Sequence, residues 1–385
     1  TSPVRTPTPA YLIDLAVIRK NCEALSELKA RTGCRIVQAL KAFALPAVFP
    51  LLRDHLDGCC ASGLWEAQLA REFFGETVLT CGPVYHDTDT DLFDLSSHIV
   101  FNSLSHWQHW RHYALSHPRY KQGIISYGLR LNPQCSTGSP SIYDPCRQGS
   151  RLGTLPDSLK NADLEGLSGC HFHSLCDQNS DALATTLESL DLHFGALLRR
   201  PQIRWLNMGG GHALTRPEYD QHLLVDLIKQ SRDYYHLDEI WLEPGEAPVL
   251  NAGSLHSTVL DIFQSGEQTV AILDVSATAH MPDVLEMPYR PDLTLDGTPS
   301  LERGIHRYHL GGSTCLAGDI IGPYSFHRPL KIGDRLIFQD MAQYTMVKTT
   351  YFNGIQHPSI NLRDESGNDQ MIRSFDYEDF KRRLM

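Results

Sequence analysis

Five groups of residues in this chain have types and spacings that could do chemistry. Lys41 stands in Ala39-Leu40-Lys41-Ala42-Phe43, a lysine among apolar neighbours. Such an amine is either a surface group that reaches water along its stem or, where burial lowers its pKa, a nucleophile for carbonyls. Cys170-His171-Phe172-His173-Ser174-Leu175-Cys176 offers soft metal ligands. However, its spacing matches no zinc pattern, and a strand would put Cys170 and His171 on opposite faces, so no metal is expected. A structural pair of histidines, or one histidine stacked on an aromatic ligand, is the expectation instead. Asn207-Met208-Gly209-Gly210-Gly211-His212 carries more glycine than a tight turn needs, which suits close approach of backbone N–H groups to a phosphate. No GxxxxGK[ST] string occurs, so a P-loop enzyme is not supported.

Glu243-Pro244-Gly245-Glu246-Ala247 places two carboxylates three residues apart. Glu243 follows the apolar run Ile240-Trp241-Leu242, so it sits at a strand's carboxyl end, and beside a phosphate loop it could pair with a protonated ring nitrogen. Gly311-Gly312-Ser313-Thr314-Cys315-Leu316-Ala317-Gly318-Asp319 surrounds one thiol with small residues. Cys315 is then either an ordinary buried thiol or an exposed proton donor or sensor.

The elements that must position these groups follow from periodicity. Asp14 can cap a helix over 14–31, where Leu15, Ile18, Cys22, Leu25 and Leu28 recur at helical spacing. Apolar runs then appear at 36–40, 57–61, 77–81, 98–101, 124–131, 167–172, 203–207 and 239–243. Stretches of helical character separate them, for example 64–74, 104–116, 180–199 and 218–235. Strands alternating with helices imply parallel βαβ units, and eight of them suit a (β/α)8 TIM-type barrel over residues 14–250, with a doubly wound open sheet as the alternative. Lys41, Ser62, Asn102, Asn132, His173, the glycines and Glu243 all follow such runs, where a barrel keeps its active site. After Ala247 the texture becomes β-rich, with strands expected at 255–263, 268–275, 305–310, 335–339 and 343–350 and an irregular loop over 280–304. Residues 1–13 and 251–385 are assigned to this second domain. The fold class is therefore α/β, a barrel plus a β-rich C-terminal domain.

Composition narrows the function classes. The chain has 385 residues, 42% of them hydrophobic and 21% charged, as in ordinary globular proteins. A net charge of −11 argues against partners that are nucleic acids or anionic membranes and mildly favours a cationic substrate. No apolar stretch is long enough to span a membrane, and the start lacks a signal-peptide segment. Ten scattered cysteines without a Cys-x-x-Cys pair read as reduced thiols of a cytoplasmic protein.

Taken in order, Lys41, His173, Gly209-Gly210-Gly211, Glu243-Pro244-Gly245, Cys315, Asp319, and Tyr344 followed by Phe352-Asn353-Gly354 resemble the fold-type III pyridoxal-phosphate (PLP) enzymes. That group includes alanine racemase and the ornithine and diaminopimelate decarboxylases, and the resemblance covers nearly the whole chain. More narrowly, the strings SRLG (150–153), MGGG (208–211), EPGEA (243–247), TCLAGD (314–319) and YTMVK (344–348) look like the carboxynorspermidine/carboxyspermidine decarboxylases.

The resemblance implies that the cofactor is pyridoxal 5'-phosphate and that Lys41 binds its aldehyde. It implies that His173 packs on one face of the ring, that Gly209, Gly210, Gly211 and Tyr344 hold the phosphate, and that Glu243 keeps the ring nitrogen protonated. The protein would be a homodimer with shared active sites, Cys315 coming from the partner subunit to help protonate the carbanion left by CO2, and Cys315 and Asp319 would also bind substrate. Better-known relatives carry arginine where Glu246 stands, an acid where Leu316 stands, and serine where Cys176 stands. Glutamate at 246 inverts the charge and suits an ammonium. Asp283 is a second candidate for a substrate amine, or else a solvated loop acid. The expected function is decarboxylation of carboxynorspermidine or carboxyspermidine to norspermidine or spermidine. The alternatives are a diaminopimelate or other basic amino-acid decarboxylase, a racemase, and a non-catalytic PLP-fold binding protein.

Overall fold

The computed structural model describes residues 6–385. Residues 1–5, expected in the β-rich domain, lie outside the described residues. The chain divides into two compact units, one of Arg19–Pro248 and one of Val249–Met385 joined by the described residues before Arg19. Strand β1 (Ala10–Asp14) belongs to the latter unit. No helix among the described residues is long and apolar enough to cross a membrane.

The first unit is a closed barrel of eight parallel strands. They are β2 (Arg35–Ala39), β3 (Gly58–Ala61), β4 (Val78–Cys81), β5 (His98–Phe101), β6 (Ser126–Arg130), β7 (Leu167–His171), β8 (Trp205–Asn207) and β9 (Glu239–Leu242). Seven of the eight fall within the expected apolar runs, and β2 begins one residue before its run. Closure comes from parallel pairing of β2 with β9, Arg35 opposite Trp241 and Ile36 opposite Leu242. Helices return the chain between strands, and polar side chains start them. Asp14 Oδ1 accepts from the Ala16 N–H at 2.9 Å, Ser103 Oγ from the His106 N–H, and Asp220 Oδ1 from the Leu223 N–H. The helix Gln221–Tyr235 stops where His236 turns left-handed, φ 55°.

The barrel interior is filled by Val37, Ala39, Cys60, Leu79, Val100, Trp205 and Trp241. Two indoles in so narrow a barrel need space, and glycines supply it. A Cβ on Gly169 would lie 1.8 Å from Trp205 Cε2, and one on Gly128 2.4 Å from Trp205 Cη2. The large and small residues are thus matched across neighbouring strands.

The second unit holds a ten-stranded sheet. Its strands after β1 are β10 (Gly253–Ser265), β11 (Gln268–Leu273), β12 (Leu293–Leu295), β13 (Thr298–Pro299), β14 (His306–Gly311), β15 (Ile320–Phe326), β16 (Arg335–Gln339), β17 (Ser359–Arg363) and β18 (Asp369–Arg373). The order is β13-β12-β16-β10-β1-β17-β18, with β11, β14 and β15 extending from β10. Two expectations are corrected here. Residues 280–304 are not one loop. They hold the helical turn Asp283–Glu286 and then β12 and β13, which meet at Asp296-Gly297, both with positive φ. Residues 343–350 form no strand, because Tyr344 at φ 53° breaks the extended backbone and a 3-10 turn, Met346–Lys348, follows.

The glycine–indole fit gives a stability test. Gly169→Ala is expected to destabilise the protein by about 1–3 kcal/mol through overpacking. Gly75→Ala, where no heavy atom lies within 4 Å of the added Cβ, is the neutral control. Urea unfolding midpoints of the two variants check this.

Candidate active site

The barrel brings several of the expected residues to the carboxyl ends of its strands. Lys41 lies two residues beyond β2, and its side chain is exposed. Of the two readings of Lys41, the structure has the amine reaching water. Its positive field still reaches His173 and the Cys60 thiol.

Glu243 directly follows β9 and is buried. His171 Nε2 lies 2.8 Å from its Oε1, and Asn207 Nδ2 donates to its Oε2 at 3.1 Å. Burial pushes this carboxyl up, but the His171 imidazole beside it pulls harder and holds it well below the usual carboxylate range. Burial likewise pushes His171 down, while Cys81 and Glu243 more than offset this and raise it to about 9. The Cys60 thiol also faces Glu243, and burial followed by that negative charge pushes it well up, so it stays a thiol.

His173 is half-buried beyond β7. Its Nδ1 accepts the Gly210 N–H at 2.9 Å, which leaves the proton of the neutral ring on Nε2. Burial, then the cations Lys41 and Arg130, hold it well below its ordinary pKa, so the ring is neutral.

The glycine loop is tightly enclosed by protein. A Cβ on Gly209 (φ 70°) would meet the Phe172 carbonyl at 2.4 Å, one on Gly210 the Glu243 carbonyl at 2.5 Å, and one on Gly211 (φ 77°) the Leu175 carbonyl at 2.0 Å. No side chain fits at any of the three. Two of the amides are engaged inside, Gly209 N–H with Asn207 Oδ1 at 2.8 Å and Gly210 N–H with His173 Nδ1. The loop therefore does not present three outward N–H groups to a ligand.

Glu246 is not a bare carboxylate. Arg216 Nη2 approaches its Oε1 at 3.4 Å while gripping Asp177 with two shorter bonds, 3.0 and 2.7 Å. Arg216 and Asp177 are functional candidates that motif reading missed. His171, Asn207, Cys60 and Cys81 are others. The available signal was position: His171 and Cys81 end barrel strands, and Asn207 ends β8.

The remaining candidates lie in the β-rich unit. Cys315 is exposed, and its backbone N–H donates to Asn353 Oδ1 at 2.6 Å. Asp319 is buried and accepts from the Ser276 hydroxyl, from the Thr314 hydroxyl and N–H, and from the N–H groups of Ala277 and Thr278. Those five donors engage both oxygens of the carboxylate, so Asp319 holds the Cys315 turn. Asp283 is paired with Lys348 Nζ at 2.9 Å, and Lys348 also bonds Glu286. It is thus neither a bare acid nor a solvated one. Tyr344 is half-buried at the left-handed turn already described.

Comparison with known proteins agrees with this constellation. A family model described as "Pyridoxal-dependent decarboxylase, C-terminal sheet domain" matches residues 10–342. The chain belongs to the pyridoxal-dependent decarboxylases. It is similar to a carboxyaminopropylagmatine decarboxylase of Synechocystis, 42% identical over 98% of this chain and 95% of the relative. It is also similar to a carboxynorspermidine/carboxyspermidine decarboxylase of Campylobacter jejuni, 38% identical over 98% of both chains. Among solved structures, the carboxynorspermidine decarboxylase of C. jejuni, complexed with norspermidine, aligns with TM-score 0.87 at 37% identity over 98% of this chain and 100% of that one. The cofactor is pyridoxal phosphate, and the enzyme is a carboxy-lyase.

The buried pair makes stability depend on pH. A folded-state His171 pKa near 9 means that its contribution is complete below about pH 6.5 and is lost as pH rises through about 9. Between those values the cofactor-free protein is expected to lose on the order of 3 kcal/mol relative to His171→Gln. Urea unfolding of both proteins at several pH values measures the difference.

Proposed function

We propose that this decarboxylase acts on a carboxylated polyamine, releasing CO2 from its α-amino acid end. The observation that carries the reading is the acid at 246. Where better-known relatives have arginine, this chain puts a carboxylate, and it stands three residues from Glu243 in the same barrel unit as Lys41 and the glycine loop. A substrate with amines beyond the reacting centre matches that charge. Similarity to relatives named for carboxynorspermidine and carboxyspermidine supports it further.

The residues fit the cofactor. When bound, pyridoxal phosphate supplies an aldehyde that captures the substrate's amine and a protonated ring that takes up the electron pair left by CO2. Lys41, a solvated amine beyond β2, would hold that aldehyde between turnovers. Glu243, kept ionised by His171, would hold the proton at the ring nitrogen. His173, neutral and fixed by Gly210, would cover one ring face. Close-packed Gly209, Gly210 and Gly211, with Tyr344, would cradle the phosphate. Cys315, exposed on the β-rich domain, would deliver a proton to the substrate carbon across a homodimer interface. All ten cysteines are free thiols, which supports a reducing, cytoplasmic setting.

A second substrate reading has its own support. The Synechocystis relative at 42% identity is named for carboxyaminopropylagmatine, whose tail ends in a guanidinium. Both substrate types share a carboxylated amino end and a cationic tail, so an acid at 246 suits either.

Three outcomes test these readings. The purified holoenzyme is expected to be yellow and Lys41→Ala colourless. CO2 release should be highest with carboxynorspermidine, carboxyspermidine or carboxyaminopropylagmatine within a panel that also holds diaminopimelate, ornithine and lysine. A preference for diaminopimelate would sink the substrate assignment. Glu246→Gln should raise KM for the preferred substrate about tenfold, ~1.4 kcal/mol, with kcat little changed; an unchanged KM overturns its role.

A further inference from the structure

His171 is a buried titratable group inside the barrel that the chemistry assigned so far does not use. It ends β7, is 1% exposed, and spans the interior between β4 and β9. Its Nε2 lies 2.8 Å from Glu243 Oε1, and its ring also meets the Cys81 thiol. Asn207, at the end of β8, completes the arrangement. Its Nδ2 donates to the other Glu243 oxygen at 3.1 Å, and its Oδ1 takes the Gly209 N–H at 2.8 Å.

We propose that His171 is a positioning residue that fixes the Glu243 carboxylate in orientation and in its ionised form, so that it presents an anionic acceptor to the cofactor's ring nitrogen. The inference rests on the reading of Glu243 given above. A carboxylate enclosed in protein tends to take up a proton, because burial penalises its charge. A protonated carboxyl would donate to the ring nitrogen instead of accepting from it, and the ring would become a poor electron acceptor. Asn207 offers a neutral donor, which orients an oxygen but adds no charge. His171 adds both a donor and a positive field, and it does so from the buried side. One donor on each Glu243 oxygen prevents rotation about the carboxylate axis and leaves further lone pairs for a ligand. The other titratable or charged groups that face this pair are Lys41, Cys60, Cys81, Arg130, His173 and His212. Burial keeps Cys60 a thiol, and His173 and His212 are held neutral, so among the close neighbours His171 is the main support for the anion. Asn207 extends the effect, since the same side chain that steadies Glu243 also holds Gly209. The two ends of the cofactor site are thereby tied to one hydrogen-bonded chain.

The experiment compares holoenzymes of the wild type, His171→Leu, His171→Gln and Glu243→Gln. Cofactor retention is read from ring absorbance against pH, and kcat and KM are read separately. In His171→Leu the pH at which cofactor is lost on acidification should move up by about one unit or more, with kcat down at least about tenfold and KM nearly unchanged. His171→Gln, which keeps an N–H near the Nε2 position, should fall between. Should the leucine variant fail to fold, His171→Asn, whose amide is too short to reach Glu243, takes its place. Wild-type retention and kcat in the folded leucine or asparagine variant, alongside an impaired Glu243→Gln, overturn the role of His171 alone. If Glu243→Gln is also silent, the reading of Glu243 fails with it.

Discussion

Closure of the barrel between its first and last strands is the constraint on which the site depends. Lys41 and Glu243 are separated by most of the unit, yet pairing of Ile36 with Leu242 sets their strand ends side by side. The seam continues past the strands. The Ala39 N–H donates to the Pro244 carbonyl at 3.1 Å, and Gln38 Nε2 donates to the Gly245 carbonyl at 3.1 Å. This explains Gly245 without reference to any ligand, because a Cβ there would lie 2.5 Å from Ala42 Cβ. The run Pro244-Gly245 is first a device for bringing two chain ends into contact. Its place in a chemical motif follows, since the contact holds the amine and the carboxylate at one mouth.

The same logic explains which features were legible beforehand. The barrel strands are largely buried and rich in apolar residues, so each reads as a short, mostly apolar run. The helices carry their own caps, and Asp14 is one that the chain announces locally. The glycine triplet and the carboxylate at 243 are also local. What stayed hidden were partners set by closure. Nothing near His171 indicates that it will meet Glu243, and nothing near Arg216 indicates that it will join Asp177 to Glu246. In the second unit, β1 is inserted between β10 and β17, strands that lie hundreds of residues away in sequence, and five residues carry little periodicity of their own. The stretch 343–350 failed for the opposite reason: its composition suits a strand, and a single left-handed residue, Tyr344, overrides it.

Asp319, the last residue of the small-residue string around Cys315, also serves the fold. Its oxygens collect donors from Ser276–Thr278 and from Thr314, which pins the turn carrying Cys315 from beneath. Asn353, itself left-handed at φ 58°, holds the Cys315 N–H from another side. Such support fixes the thiol, because an exposed turn otherwise samples many positions. The small residues around Cys315 make room for this web, a Cβ on Gly312 for instance falling 2.4 Å from Asp319 Oδ2.

Charge at the mouth of the barrel is better described as a shared set than as a single reversed residue. Glu246, Asp177 and Arg216 together carry one net negative charge, and Arg216 is closer to Asp177 than to Glu246. The longer contact is the one a substrate cation can compete for. An incoming ammonium that takes Glu246 leaves Arg216 still held by two bonds to Asp177, so the guanidinium keeps a partner. Under the proposed reaction, selectivity for cationic tails would come from exchange between an internal guanidinium and an external amine. Net attraction to the tail would be smaller than a lone carboxylate offers. Discrimination against an uncharged tail would remain, because only a cation can repay the loosened contact with Arg216.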